Sequence, residues 1–175
     1  PQLAWDVQAR LQGFDPGYFL PDWEGNVDGR LASQGHLREE GGIETDVVIE
    51  DLGGRLRGRP LDGSGRLTLR GDSGEGRLAL SLGSSRVRAE GRFGSDRIAI
   101  DATLQPLQLD DLLPGAGGRI AGSLRVAGSP QTPDITADLS GSALSWDTWR
   151  ADRIALRGKL PWRGDGGDLL LQGDA

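Results

Sequence analysis

The sequence predicts an all-β fold, an elongated and strongly curved antiparallel-rich sheet. Three observations predict it. Apolar and polar residues alternate along most of the chain. Glycine supplies 29 of the 175 residues and, with Asp, Ser and Pro, punctuates the alternating runs. Helical periodicity is nearly absent. Alternation at period 2 gives each strand one apolar and one charged face. About eleven such strands are expected, with one or two short helical turns.

The runs appear in order. Leu3, Trp5, Val7, Ala9 and Leu11 share one parity, with Asp6, Gln8 and Arg10 between them. Asp15-Pro16 is a candidate cap and first position of a short helical turn to Leu20, stopped by Pro21. Val27 and Leu31 follow, then Ile43, Thr45, Val47 and Ile49. Next come Leu67 and Leu69; Leu78, Leu80 and Leu82; Val87, Ala89 and Phe93; and Ile98, Ile100, Ala102 and Leu104. The segment from Leu107 to Leu113 is a second candidate helical turn, stopped by Pro114. Ile120, Leu124 and Val126, then Ile135, Ala137 and Leu139, then Ile154, Leu156 and Leu160 complete the series.

Gly-Arg-apolar triplets begin at 29, 54, 65, 76, 91 and 118. Those at 54, 65 and 76 have the spacing of a short strand plus a tight turn, which predicts an up-and-down meander. A longer repeat lies beneath. A shift of 93 residues places Trp5 on Ile98, Leu11-Gln12 on Leu104-Gln105, Pro21 on Pro114, Gly29 on Gly122 and Gly35 on Gly128. With one residue deleted, Ile43 meets Ile135 and Val47 meets Leu139. The chain thus reads as one elongated repeat-type domain, residues 1–175, with repeats at approximately 1–93 and 94–175.

Composition narrows the function. No run of apolar residues reaches the ~18 needed for a membrane-spanning helix. A net charge of −6 argues against a nucleic-acid partner bound through a basic patch. Cysteine is absent, which removes disulfides and thiolate chemistry. Methionine is absent too, so residue 1 reads as an internal start, and any signal or anchor would lie outside this segment.

The apolar parity defines the candidate binding face: Val7, Leu11, Val27, Leu31, Val47, Ile49, Leu67, Leu69, Leu78, Leu80, Leu82, Val87, Phe93, Ile98, Ile100, Leu104, Ile120, Leu124, Val126, Ile135, Leu139, Ile154 and Leu156. Small residues interrupt it: Ala9, Gly29, Gly58, Ala89, Ala102, Gly122 and Ala137. Packed sheets interdigitate large side chains, whereas glycine in strands favours curvature. The expectation is a half-open trough with an apolar floor, a closed sandwich or solenoid being the alternative. So large an open apolar surface would need an amphiphile or an amphipathic strand to cover it.

No catalytic or metal-binding set emerges, no cofactor is expected, and an enzyme is the least expected class. His36, the only histidine, reads as a solvent-exposed loop residue without metal-binding partners. Glu39-Glu40 and Asp110-Asp111 are adjacent in sequence, so in a strand they would point to opposite faces, and they read as solvated surface. Trp146, Trp149 and Trp162 cluster near the end and are expected to cap the core, or else to edge the trough near lipid headgroups.

The residues Phe14-Asp15-Pro16 through Leu20-Pro21, and then Gly25-Asn26-Val27-Asp28-Gly29-Arg30-Leu31, resemble the repeating phrase of the TamB family. So does Gly118-Arg119-Ile120-Ala121-Gly122-Ser123-Leu124-Arg125-Val126-Ala127-Gly128-Ser129, followed by Pro133-Asp134-Ile135. The pattern is shared with other AsmA-like proteins. The resemblance implies a taco-shaped β-sheet with a hydrophobic groove in the periplasm of a diderm bacterium. It also implies an inner-membrane anchor outside this segment and a TamA-like outer-membrane barrel as partner of the whole protein. Three roles follow as expectations. The segment would carry phospholipid acyl chains along its groove, as part of a bridge between the membranes. Alternatively it would bind strands of nascent outer-membrane proteins at sheet edges. A passive spacer is the third reading.

Overall fold

Eleven strands run through the described residues; ten follow the alternating runs, and the last, Asp168–Asp174, follows none of them. The computed structural model describes residues 3–38, 42–161 and 168–174. The chain forms two compact units, Pro1–Gly83 and Ser84–Ala175. The first holds β1 (Ala4–Phe14), two 3-10 turns (Pro16–Tyr18 and Pro21–Trp23), β2 (Gly25–Leu37), β3 (Ile43–Leu56), β4 (Arg59–Arg70) and β5 (Ser73–Leu82). The second holds β6 (Ser85–Phe93), β7 (Ile98–Gln108), the one-turn helix α1 (Leu109–Leu112), β8 (Ala116–Ser129), β9 (Thr132–Trp146), β10 (Trp149–Pro161) and β11 (Asp168–Asp174).

Within each unit every strand pairs antiparallel with its neighbours in sequence, the meander that the triplet spacing predicts. Neither unit closes on itself. In the first, β1 pairs with β2 alone; in the second, β11 pairs with β10 alone.

Residues directly opposed across a pair share a face, so the registers assemble the apolar parity into rows. In the first unit Ala9 opposes Leu31, Leu31 opposes Ile49, Ile49 opposes Gly65, and Gly65 opposes Leu78. The row Phe14, Val27, Gly54, Leu61 and Leu82 lies nearest the 3-10 turns and contains the buried residues Val27, Leu61 and Leu82. In the second unit Val87 opposes Leu104, which opposes Gly122, then Leu139 and Leu156. The buried apolar residues there are Ala116, Ala137, Leu144 and Ala151.

Glycine opposite leucine is the packing device of this face. A Cβ on Gly63 would meet Leu80 Cδ1 at 2.9 Å and Leu52 Cδ2 at 3.3 Å, so both leucines lean over the space that Gly63 leaves. Leu67 leans likewise over Gly76, which it opposes, and Leu144 leans back over Gly141 in its own strand. Side chains thus cover one another sideways within one layer, and that lateral contact replaces part of what a second sheet would supply.

Bulges interrupt the alternation. In β1 the pairing with β2 shifts between Leu11 and Phe14; in β7 the pairing with β8 shifts between Leu104 and Leu107, 93 residues further on. In β3 Asp51 takes a left-handed φ of 51°, and in β9 Ala143 takes the same value, 92 residues later. An extra residue in one strand breaks the odd–even rule at that point. Beyond Asp51 the apolar face therefore continues at Leu52, whose side chain lies against Gly29 and Gly63.

The helical turns differ in detail from their sequence signals. Asp15 caps the first 3-10 turn by accepting from the Gly17 N–H at 2.8 Å. Pro21 does not end the segment but opens a second 3-10 turn, where its missing N–H costs nothing. Leu107 and Gln108 remain in β7, which shortens the later helix to a single turn. Gly58 is not a face residue: it sits in the β3–β4 turn with φ 73°.

Candidate binding face

The face is built from rows of Leu, Ile and Val with glycine between them. Among the sequence-predicted residues, Val27 and Leu82 are buried, and Val7, Leu11, Leu78 and Phe93 are exposed. Leu31, Val47, Ile49, Leu67, Leu69, Leu80, Val87, Ile98, Ile100 and Leu104 are half-buried. So are Ile120, Leu124, Val126, Ile135, Leu139, Ile154 and Leu156. The registers bring those of the first unit together on one face of β1–β5, and those of the second on one face of β6–β10. Strands whose apolar side chains are covered by a second layer bury them; here most keep part of their surface open within each unit.

Polar side chains on the face satisfy one another. Trp5 opposes Gly35, which opposes Thr45, which opposes Leu69; Ser33 sits one row further on, between Val7 and Val47. The Trp5 Nε1–H donates to Ser33 Oγ at 3.1 Å. Thr45 Oγ1 donates to the Gln34 carbonyl at 3.0 Å. That commits the Thr45 proton, so across their 3.4 Å separation Ser33 Oγ donates to Thr45 Oγ1. The relay ends on backbone, and a face that hides its own hydrogen-bonding groups is suited to apolar contact.

The opposite face is ionic. Arg30 pairs with Asp51, Arg125 with Asp101 at 2.5 Å, Arg157 with Asp138 at 3.1 Å, and Lys159 with Asp134 at 3.0 Å. Asp46 accepts from the Thr68 hydroxyl at 2.6 Å and from Arg70 at 3.1 Å. These two bonds, that of Thr68 foremost, hold its carboxyl below the usual aspartate value of 3.8.

Several sequence readings are corrected. His36 is not in a loop: it lies in β2 opposite Glu44, its Nε2 3.6 Å from the Glu44 carboxylate, which also meets Arg38. Asp111 is not solvated surface. It is fully buried, and its Oδ2 accepts from the Ser84 N–H at 3.0 Å, the Ser85 N–H at 2.9 Å and the Ser85 hydroxyl at 2.7 Å. Trp146 and Trp149 do not cap the core: they oppose each other at the β9–β10 turn and are 64% and 52% exposed. Trp162 and the pair Glu39-Glu40 lie outside the described residues.

The parity reading does not reach every face residue: Phe14 lies beyond the register shift that follows Leu11. Leu52 and Leu144 follow the left-handed positions Asp51 and Ala143, where the alternation changes phase. Leu61 keeps the parity of Leu67, but Gly63 and Gly65 stand between and interrupt the apolar signal.

No group of three or more His, Cys, Asp or Glu side chains that could hold a metal ion occurs among the described residues. No helix among them is long and apolar enough to cross a membrane.

Comparison with known proteins adds to this geometry. The family model of the TamB N-terminal domain matches residues 1–172. A curated relative, the translocation and assembly module subunit TamB of Haemophilus influenzae, is 25% identical over 159 residues, covering 89% of this chain. The match spans 12% of that relative's length. No solved structure matches.

Proposed function

Since this chain belongs to the TamB family, we propose that it is one segment of a bridge between inner and outer membranes, working within the translocation and assembly module. Its apolar face carries the acyl chains of phospholipids, while the headgroups stay in water. The whole protein would be held in the inner membrane by a segment elsewhere and would meet a TamA-like outer-membrane barrel.

The incomplete burial of the apolar rows is the observation that supports this reading. A soluble face normally covers such residues, because burial is worth ~25 cal/mol per Å². Here the favourable contact is left for an occupant. An acyl chain fits what is on offer: it needs no hydrogen bonds, and in the first unit the relay from Trp5 to Thr45 keeps those polar groups paired among themselves. Movement along such a face needs no chemistry, and each CH₂ that stays covered retains ~0.8 kcal/mol.

Photo-crosslinking in cells that make the full-length protein tests the proposal. Probes would replace Leu69, Leu80, Ile100 and Leu124 on the apolar face, and Arg70, Arg77 and Asp101 on the ionic face. Phospholipid adducts confined to the apolar positions are expected. Adducts to unfolded outer-membrane proteins without lipid would favour a scaffold for nascent strands instead. Intramolecular adducts alone would mean that the face is covered by the protein itself.

A further inference from the structure

The loop between β1 and β2 carries an apolar tip in open solvent. Tyr18 is 89% exposed, Phe19 72% and Leu20 58%. The tip is joined to the apolar face by rings. Phe14, which opposes Val27 in the last row of the face, lies 6.3 Å from Phe19, and Phe19 lies 5.5 Å from Tyr18 at a steep angle. An unbroken apolar path therefore leads off the sheet and into solvent.

The loop is also braced. Asp15 Oδ1 accepts from the Gly17 N–H and the Gly25 N–H, both at 2.8 Å, and so ties the two ends of the loop together. Tyr18 donates to the Asp15 carbonyl at 3.4 Å, and Phe19 and Leu20 donate to the Pro16 carbonyl at 3.0 Å. Pro16 and Pro21 have no N–H to place. From Pro16 to Pro21 the backbone thus has no free donor. Such a loop can leave water without orphaning an N–H, which would cost several kcal/mol in hydrocarbon. For the same reason it is ill suited to pairing with an incoming strand, which needs free backbone groups.

We propose that this tip docks into the interfacial layer of a zwitterionic phospholipid surface, and that the path Tyr18, Phe19, Phe14 hands an acyl chain to the face. The inference rests on the acyl-chain reading above and names where the lipid enters. Aromatic side chains suit the headgroup boundary, with leucine reaching below it. Charge favours the zwitterionic surface: Asp22 and Glu24 flank the tip, both exposed, and the Arg57 guanidinium, 5.4 Å from the Trp23 ring between them, offsets only part of that charge. Within a Debye length of ~8 Å an anionic surface would repel this local acidic excess.

The absence of native cysteine allows single-site labelling. An environment-sensitive fluorophore would be placed at Tyr18→Cys, Leu80→Cys and Arg77→Cys in turn, and the chain mixed with phosphatidylcholine vesicles, with or without phosphatidylglycerol. A blue shift at position 18, quenched by brominated acyl chains and weakened by phosphatidylglycerol, is expected, with position 77 silent. Tyr18→Ser, at a site too exposed to matter for folding, and the Phe14→Ser/Phe19→Ser pair should each reduce partitioning, the pair by about ten-fold. Circular dichroism checks that the pair variant keeps its strands. Silence at 18 with quenching at 80 would overturn the docking tip and leave the acyl-chain face standing. Quenching at 18 with silence at 80 would support the tip and count against the face. Equal responses at 18 and 77, or a response at 18 to an unfolded barrel-protein segment and not to vesicles, would overturn the tip.

Discussion

The indole of Trp5 lies across Gly35, the residue that opposes it on β2, and its Nε1–H reaches past that glycine to Ser33 Oγ at 3.1 Å. The contact holds only while residue 35 has no side chain. A Cβ there would run into the indole on one side and the Glu44 carbonyl on the other. Gly35→Ala should therefore cost about 1–3 kcal/mol, the usual range for overpacking. Trp5→Phe should cost less, about 1 kcal/mol from the lost hydrogen bond, because Ser33 keeps Thr45 as a partner. Shifts in the urea midpoint at constant slope would measure both. A Gly35→Ala variant as stable as the parent would remove the tight Trp5–Gly35 contact from the account.

Glycines on the face divide by what surrounds them, and that gives a second prediction. A Cβ on Gly65 would meet Arg77 O and Leu78 Cδ1, each at 3.5 Å, which is ordinary contact. A Cβ on Gly91 would meet Ala99 O at 2.5 Å and Ile100 Cα at 2.7 Å, both backbone. Gly65→Ala should be neutral, or stabilising by up to about 1 kcal/mol through a less flexible unfolded chain. Gly91→Ala should destabilise by about 1–3 kcal/mol, since β6 and β7 must move apart. Thermal unfolding of the two variants side by side decides. Equal effects would mean that cross-strand spacing does not govern these positions.

The strands were legible in the sequence because a one-sided sheet must write its face at period 2. That Leu31, Ile49 and Leu78 lie on the apolar face follows from that parity; which residues stand opposite them is set by the register. Bulges carry no such period. Asp51 and Ala143 adopt a left-handed backbone without being glycine; aspartate favours that region only weakly and alanine not at all, so residue type barely marks where Leu52 and Leu144 rejoin the face. Asp111 was misread for a related reason. Its burial comes from the turn at Ser84 and Ser85, distant in sequence, whose three donors converge on one carboxylate oxygen. Nothing in residue order marks the tip as exposed, because Asp15-Pro16 signals a short helical turn to Leu20 without saying which way its aromatic residues face.

Asp46 supplies a pH prediction. Its carboxyl is held below 3.8 mainly by the Thr68 hydroxyl and then by Arg70. A group whose folded value is depressed adds stability above its unfolded value and loses it as the pH falls through the folded value. The stability advantage of the parent over Asp46→Asn should therefore be full above pH ~4 and shrink on further acidification. Thr68→Val should move the Asp46 titration upward, towards 3.8, when followed by carboxyl-resolved NMR. An unchanged titration in that variant would transfer the effect to Arg70.

Asp111 carries the last prediction. A carboxylate removed from water is costly unless its oxygens are met by donors, and Oδ2 receives three, from Ser84 N–H, Ser85 N–H and Ser85 Oγ. The Ser85 hydroxyl also accepts from the Gln108 N–H at 2.8 Å, so one interaction site secures the start of β6 and the end of β7. Asp111→Ala would strand these donors and open a void, and should cost about 3 kcal/mol or more. Asp111→Asn keeps one acceptor oxygen but gives up the charge that strengthens each bond, and should cost roughly half as much. Ser85→Ala leaves both backbone bonds to Oδ2 but takes the hydroxyl from Oδ2 and from the Gln108 N–H, and should cost less than Asp111→Ala. Amide hydrogen exchange locates the damage: the β6–β7 pair should lose protection first, while β2 and β3 keep theirs. Uniform loss of protection in Asp111→Asn across both units would mean that the residue supports the whole fold and not one hairpin.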